Sequence, residues 1–158
     1  MINELILRSK VSWGYTSEEL DLWKTDLEVT KADIDARHFF LGKITDRTIL
    51  LYSLSEISLT SCELEDCWID PEFKGRGFGR AIFDDIGIQM KRRGWQRMRI
   101  VSDPFAAGFY RAMGAAQVGE SPSKPEGRLL PVFEWQLGST KPNKAARKSI
   151  HRAPRVEI

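Results

Sequence analysis

Apolar residues in the first part of the chain recur at helical spacing. Residues 2–10 predict a short helix. Residues 16–19, Thr-Ser-Glu-Glu, form a capping box, and Leu20, Trp23 and Leu27 follow at the spacing of one helix face. Two helices are therefore expected before residue 30.

A β-hairpin is predicted next. Two stretches rich in apolar and β-branched residues, His38–Ile44 and 48–54, flank the turn residues 45–47. This pattern is typical of paired antiparallel strands. The polar residues 30–36, which precede the hairpin, are expected to form only a connection.

The middle of the chain predicts a strand and then a long helix. Residues 62–69 predict the strand, which ends at an Asp-Pro dipeptide. From Phe78 to Met90, apolar residues recur at every fourth position. Three basic residues and a glycine at 91–94 favour a helix end at that point.

The last third of the chain predicts a strand over 95–101 and a helix from Asp103 to about Met113. An aspartate followed by proline is a favourable helix start. Two further strands are expected, at 116–119 and 129–137, with a polar loop between them. Helices, a hairpin and then strands alternating with helices indicate one α/β (α+β) domain with a mixed sheet.

Composition adds that the chain is an ordinary globular protein. Its 158 residues suit one domain, and 42% are hydrophobic and 29% charged. No apolar run approaches the roughly 20 residues of a membrane helix. The first ten residues alternate apolar and charged positions too quickly for a signal peptide. A cytoplasmic protein without a membrane partner is expected.

Charge is distributed unevenly between a domain, residues 1–138, and a tail, residues 139–158. The tail has six basic residues and one acidic residue, and it lacks aromatic residues, so disorder is predicted there. The domain has 18 basic and 21 acidic residues. Nucleic acid is therefore an unlikely partner of the folded domain.

Cysteine and histidine are scarce. Cys62 and Cys67 lie five positions apart in a predicted strand, which would direct them to opposite faces and prevent a disulfide. His38 and His151 have no metal-ligand spacing. No metal site is predicted.

A glycine-rich basic loop, residues 74–80, lies between the strand at 62–69 and the helix that begins near Phe78. Glycines let backbone amides approach an anion, and a helix start presents further amides to it. The G-x-G-x-G spacing matches neither the dinucleotide fingerprint nor a Walker-type loop. By itself the motif leaves two alternatives open, a phosphate site or a tight turn.

Residues 74–79, Lys-Gly-Arg-Gly-Phe-Gly, resemble the Q/R-x-x-G-x-G/A signature of the GCN5-related N-acetyltransferase (GNAT) superfamily. Residues 103–115 resemble its second signature, N-x-x-A-x-x-x-Y-x-x-x-G-F. The two occur in the family's order, each on the expected element. The resemblance is strongest over 63–137 and weaker over 9–54.

The resemblance implies a GNAT-like domain with a mostly antiparallel sheet flanked by helices, and acetyl-CoA as co-substrate. The loop would hold the coenzyme's pyrophosphate. The cofactor-binding positions that it implies are Trp68, Ile69, Lys74, Gly75, Arg76, Gly77, Phe78, Gly79, Arg80 and Asp103. Lys74 stands where Gln or Arg is usual, and Asp103 stands where Asn is usual.

Catalytic roles follow from the same resemblance. Tyr110 occupies the family's tyrosine position and is the candidate acid for the departing thiolate. Glu63 aligns with the glutamate base of one branch, and Glu65, one step nearer the cofactor, could serve through a water. The backbone amide of Cys67 is placed to stabilise the oxyanion. By two-residue alternation, Glu63, Glu65, Cys67 and Ile69 are expected to share one strand face.

The predicted function is an acetyl-CoA-dependent N-acetyltransferase, in which a primary amine of a small molecule or protein attacks directly in a ternary complex. Trp13 and Tyr15 either line the acceptor groove or pack in the core. The alternative is a non-catalytic acyl-CoA-binding sensor or interaction domain. An unrelated nucleotide-binding domain is disfavoured, because Arg97 and Arg99 stand where an acidic ribose-binding residue is expected.

The resemblance also implies that the family's first strand has no counterpart here. The strand His38–Ile44 would then have an open edge that invites pairing with another chain. A homo-oligomer is therefore a possible state of the protein, with an amine acceptor as its other partner.

Overall fold

The computed structural model of the chain describes residues 1–139, which contain five α-helices and six strands. The helices are α1 (Ile2–Val11), α2 (Ser17–Leu27), α3 (Lys31–Ala36), α4 (Phe78–Arg93) and α5 (Ala107–Ala112). The strands are β1 (His38–Ile44), β2 (Arg47–Ser58), β3 (Ser61–Ile69), β4 (Arg97–Val101), β5 (Ala116–Ser123) and β6 (Arg128–Gln136). Apart from Ser139, the predicted basic tail lies outside the described residues.

The six strands form one sheet in the order β1-β2-β3-β4-β6-β5. Only β3 and β4 are parallel, and every other neighbouring pair is antiparallel. The parallel pair is joined by α4, as a parallel connection requires. The predicted mixed, mostly antiparallel sheet flanked by helices is confirmed.

Helices cover both faces of the sheet. We call the side covered by α4 and α5 the α4 face; its core includes Tyr52, Leu64, Phe83, Met98 and Trp135. We call the opposite side, covered by α1 and its neighbours, the α1 face; its smaller core includes Leu5, Ile6, Phe39 and Leu51. The alternation of β1 and β2 explains both cores, because successive strand residues point to opposite faces.

A β-bulge in β3 changes the predicted facing of its residues. Ser53 of β2 pairs with Asp66, and Leu54 pairs with Leu64, so Glu65 is an extra residue on β3. An extra residue reverses the alternation beyond it. Leu64 and Cys67 consequently both pack on the α4 face although three positions separate them.

Two elements differ from the sequence prediction. Residues 30–36 include a helix, α3, because Thr30 and Asp33 form a reciprocal capping box that starts it. The expected loop 120–127 is shorter, because β5 continues to Ser123 in register with β6. That end of β5 has almost no buried side chain, so its sequence carries no apolar alternation.

Strand β1 lies at an edge of the sheet and, within residues 1–139, pairs with β2 alone. Its aromatic residues Phe39 and Phe40 are nevertheless buried, on the α1 and α4 faces respectively. The open edge therefore offers backbone groups to a partner more than apolar side chains.

Candidate active site

A gap opens in the sheet where β3 and β4 diverge. The two strands pair only from Ser61 to Leu64, while β3 continues to Ile69. The Asp70 amide donates to the Ile49 carbonyl on the β2 side. Backbone groups of successive strand residues alternate in direction, so those of Cys67 and Ile69 point into the gap. Within the described residues, no strand pairs with them there.

Tyr110 lies beside this gap on the α4 face. It is buried on α5, and its hydroxyl lies close enough to the Cys67 thiol to interact with it. Burial and the neighbouring thiol raise the pKa of Tyr110 well above 10. The phenol therefore stays protonated and can act as a proton donor at neutral pH.

The glycine-rich loop leads into α4 on the same face. Gly75 and Gly77 have φ values of 74° and 87°, the left-handed region that favours glycine. Gly77 is the N-cap of α4 and no side chain caps this end. The first helical amides, from Phe78 to Arg80, have no partner within the helix, and the helix dipole adds positive potential. The glycine-rich loop therefore has the left-handed glycines and the uncapped helix start that an anion site needs.

The basic residues of the loop point in different directions. The Lys74 ammonium donates to the Ser12 hydroxyl at 2.6 Å and lies 5.2 Å from the centre of the Trp13 ring. The Arg76 guanidinium lies 5.2 Å from the centre of the Phe73 ring. Arg80 is half-buried in the first turn of α4. Lys74 therefore connects the loop to the end of α1.

Gly79 and Phe78, in the first turn of α4, pack against neighbouring aromatic rings. A Cβ at Gly79 would lie 2.5 Å from the ring of Phe109, so only glycine lets α4 and α5 approach this closely. Phe109 neighbours Tyr110, with ring centroids 5.2 Å apart. Phe78 packs edge-on against Phe73 at 6.0 Å. Glycine at position 79 thus supports the placement of Tyr110.

The prediction that Glu63, Glu65, Cys67 and Ile69 share a face is wrong. The bulge places Glu63 and Glu65 on the α1 face and leaves Cys67 and Ile69 on the α4 face. Both thiols are free; the bulge brings Cys62 and Cys67 to the same face, contrary to the prediction. The carboxylates and the phenol of Tyr110 thus lie on opposite sides of the sheet.

The two glutamates have different partners. Glu63 pairs with Arg99 of β4 at 2.6 Å, and burial raises its pKa, although Arg99 opposes that shift. Glu65 is exposed at the bulge and accepts a hydrogen bond from Ser55 at 2.7 Å. Glu65 lies nearer than Glu63 to the gap, because β4 has already left β3 at that point.

Sequence reasoning missed Asp66, a buried carboxylate on the α1 face. It accepts hydrogen bonds from Ser53 at 2.6 Å, from the Trp68 indole at 3.2 Å and from Arg37 at 3.4 Å. The bond from Ser53 fixes the middle of β2 against the bulge. The alternation pattern hid Asp66, because it assigned that position to the opposite face.

Asp103 lies in a network that the sequence did not predict. It caps the 3-10 helix Pro104–Ala106 ahead of α5, and its carboxylate forms an ion pair with Lys10. The same carboxylate accepts hydrogen bonds from Tyr15 at 2.9 and 3.0 Å. Arg128 of β6 completes the network, 3.5 Å from Asp103. The helix cap was predictable, but its partners lie far away in the sequence.

The Trp13 and Trp68 rings pack against each other on the α1 face, tilted by 31°, with ring centroids 5.7 Å apart. The Trp68 side chain therefore lies on the face opposite the glycine loop, whereas Ile69 packs on the α4 face. Trp13 and Tyr15 are half-buried, so both contribute to a partly open wall. The two faces of the sheet therefore differ in chemistry. The α4 face has the glycine loop and the phenol of Tyr110, and the α1 face has the carboxylates of β3 and the rings of Trp13 and Trp68.

Among residues 1–139, no helix is long and apolar enough to cross a membrane. In the same part of the chain, no group of three His, Cys, Asp or Glu residues could hold a metal ion. The cytoplasmic location stays a prediction, as does the absence of a metal.

Three solved structures of acetyltransferases are similar to this chain. A GNAT family acetyltransferase from Elizabethkingia anophelis with acetyl-CoA bound is 15% identical, with a TM-score of 0.63 over 87% of this chain and 91% of that one. The PaiA N-acetyltransferase from Thermoplasma acidophilum in complex with coenzyme A is 15% identical, with a TM-score of 0.66 over 85% and 89%. A GCN5-related N-acetyltransferase from Rhodopseudomonas palustris is 14% identical, with a TM-score of 0.69 over 86% and 88%.

At these identities the likeness shows the fold, and the sequence itself shows the family. Residues 6–115 match the sequence profile of the acetyltransferase (GNAT) family. That match covers more than half of the 158 residues and includes both the glycine loop and Tyr110. The chain therefore belongs to the GNAT acetyltransferase family.

Proposed function

We propose that the protein transfers the acetyl group of acetyl-CoA to a primary amine by direct attack in a ternary complex. The observation that carries the proposal is the gap between β3 and β4, with the glycine loop and Tyr110 on one face and carboxylates on the other. A thioester in this gap would be open to a nucleophile from the α1 face while its sulfur faced the phenol.

The coenzyme would bind in two parts. Its pyrophosphate accepts hydrogen bonds from the amides at the start of α4, with Arg76 and Arg80 adding charge. Its pantetheine amides pair with the backbone groups of Cys67 and Ile69 in the way that an added strand pairs with a sheet edge. The solved relatives with acetyl-CoA or coenzyme A bound support this assignment.

The reaction needs three groups of the chain: one that stabilises the oxyanion, an acid and a base. The amine nitrogen forms a bond to the thioester carbonyl carbon, and the Cys67 amide stabilises the resulting oxyanion. Collapse of this intermediate breaks the carbon–sulfur bond, and Tyr110 donates its proton to the departing thiolate. A carboxylate on the α1 face removes the proton that the acceptor ammonium must lose. The second proton on the nitrogen is lost to solvent, and Tyr110 takes a proton back from solvent.

Glu63 and Glu65 compete for the role of base. Glu63 has the raised pKa that favours a base at neutral pH, but it is held by Arg99. Glu65 is exposed at the mouth of the gap and could act through a water. A non-catalytic acyl-CoA sensor would need neither these carboxylates nor a buried phenol at the gap.

The test is a screen for coenzyme A release with acetyl-CoA and a panel of amines that includes polyamines, aminoglycosides, amino acids and peptides. At least one amine should release coenzyme A above the rate of hydrolysis and gain the mass of one acetyl group. Acetyl-CoA binding without turnover on any amine would favour the sensor instead.

A further inference from the structure

Two cations, Lys10 and Arg128, form ion pairs with the carboxylate of Asp103. Lys10 is buried, with its ammonium 4.7 to 5.1 Å from the ring centres of Trp13, Tyr15 and Trp23. Arg128 lies 4.3 Å from the Trp23 ring and is also mostly buried. Two cations therefore share one carboxylate, that of Asp103, inside a wall of aromatic rings.

Within the described residues, the other polar partners of Arg128 do not supply it with a second carboxylate. The pKa of Tyr15 is raised to about 12 by burial and by its hydrogen bond to Asp103, so the phenol is neutral at physiological pH. The Glu19 carboxylate attracts Lys10 electrostatically, but it accepts the Thr16 amide at 2.8 Å in the capping box of α2. Among residues 1–139, Asp103 is the carboxylate that forms an ion pair with both cations, in a place where water is partly excluded.

The hydrogen bonds of the Arg128 guanidinium are long for a charged donor. Its hydrogen bonds to Ser123, Tyr15 and Asp103 measure 3.2, 3.2 and 3.5 Å. Hydrogen bonds between guanidinium and carboxylate groups usually measure about 2.7–2.9 Å and are often bidentate. Arg128 thus retains the geometry to bind a second carboxylate more strongly than it binds its present partners.

The network lies next to the proposed reaction centre. Asp103 caps the short helix that leads into α5, which carries Tyr110, and its charge influences the pKa of Tyr110. Trp13, whose ring lies over the Lys10 ammonium, packs against Trp68 of β3. An acceptor amine that enters from the α1 face would have this cationic wall on one side and the carboxylates of β3 on another.

We propose that Arg128, together with Lys10 and the Tyr15 hydroxyl, forms a carboxylate-binding subsite, so that the acceptor is an amine that carries a carboxylate, such as a free amino acid. This inference rests on the proposed function. The subsite holds the acceptor's carboxylate while its amine faces Glu63 and Glu65. A polyamine would bring its positive charge close to the Lys10 and Arg128 cations.

The first test compares binding of products on the unaltered protein. N-acetyl derivatives of the twenty amino acids are titrated calorimetrically into the protein with coenzyme A present, each beside its C-terminal amide. At least one acid should bind about 10- to 100-fold more tightly than its amide, the usual effect of a charge-assisted hydrogen bond. Equal binding of every acid and amide, or no binding of any acid, would overturn the inference.

The second test uses variants. Arg128→Gln should weaken binding of the preferred acid about 10- to 100-fold but not that of acetyl-CoA, and Arg128→Lys should restore part of it. Arg92→Gln, at an exposed arginine in the last turn of α4, is the matched control and should change neither affinity. An acid affinity that survives Arg128→Gln would reject the subsite. If the unaltered protein does not bind acetyl-CoA, the proposed function itself is rejected.

Discussion

The hydroxyl of Tyr110 on α5 lies beside the thiol of Cys67, near the end of β3, and the two groups interact. Burial raises the pKa of Cys67 to about 12, so its sulfur is a neutral thiol at physiological pH. A neutral thiol is a poor nucleophile. The burial of Cys67 therefore argues against an acetyl-cysteine intermediate and favours direct attack by the amine.

Replacing Tyr110 by Phe should lower kcat by roughly 10²- to 10⁴-fold, because the thiolate would leave without a positioned acid. Acetyl-CoA affinity should stay close to that of the unaltered protein, since the ring that packs against Phe83 and Phe133 is kept. Steady-state kinetics and calorimetry measure the two quantities. Unchanged kcat would assign Tyr110 to packing alone.

The pH profile gives a second test of Tyr110. An acid is active only while protonated, so activity that depends on Tyr110 is lost as the pH rises through its pKa. That pKa is raised well above 10, so kcat should show no alkaline fall caused by Tyr110 below about pH 10. A fall near neutral pH that disappears in Tyr110→Phe would contradict the raised pKa of Tyr110.

Glu63→Gln and Glu65→Gln should distinguish the two candidate bases. A base must be deprotonated, so activity falls as the pH drops through its pKa. Because burial raises the pKa of Glu63 above 4.5, a Glu63-dependent acidic limb in kcat/KM should lie above that pH. The limb should disappear in the variant that lacks the base and persist in the other. If both variants keep the limb and the rate, neither glutamate is the base.

Gly77→Ala should weaken acetyl-CoA binding. Gly77 has a φ of 87°, and this conformation costs a residue with a Cβ roughly 1–2 kcal/mol. If the loop shifts to avoid that strain, the affinity for acetyl-CoA should fall about tenfold. Space is not the obstacle, since no atom lies within 4 Å of a Cβ there. Gly87→Ala in the middle of α4 is the matched control. Its Cβ would make ordinary contacts at 3.8 Å, so it should leave affinity unchanged.

How far the sequence predicts this molecule depends on whether a feature is local. Capping residues and apolar periodicity are local, and they predicted α1, α2, α4 and the hairpin. The bulge at Glu65 depends on pairing with β2 and leaves no mark in the apolar pattern, so Cys67 was assigned to the wrong face relative to Glu63. The network of Lys10, Asp103 and Arg128 joins positions up to 118 residues apart and could not be inferred from spacing.

The edge strand β1 should make the protein self-associate, since its outer backbone groups can pair with a second copy. The tail is a poor cover for that edge, because Pro142 and Pro154 would interrupt strand pairing. Light scattering should show a dimer for the full chain and for a chain that ends at Ser139. Two monodisperse monomers would refute association, and a monomer only with the tail present would show that the tail covers the edge.

Calorimetric titration with acetyl-CoA tests the central claim most directly, because it does not depend on knowing the acceptor. We predict binding at one site per chain, retained by dephospho-CoA and largely lost by acetyl-pantetheine, which lacks the pyrophosphate that the start of α4 should hold. Acetyl-CoA at 100 times its Kd should also stabilise the fold by about 2.7 kcal/mol. Absence of heat and of any melting shift at millimolar acetyl-CoA, or equal binding of acetyl-pantetheine, would contradict the account.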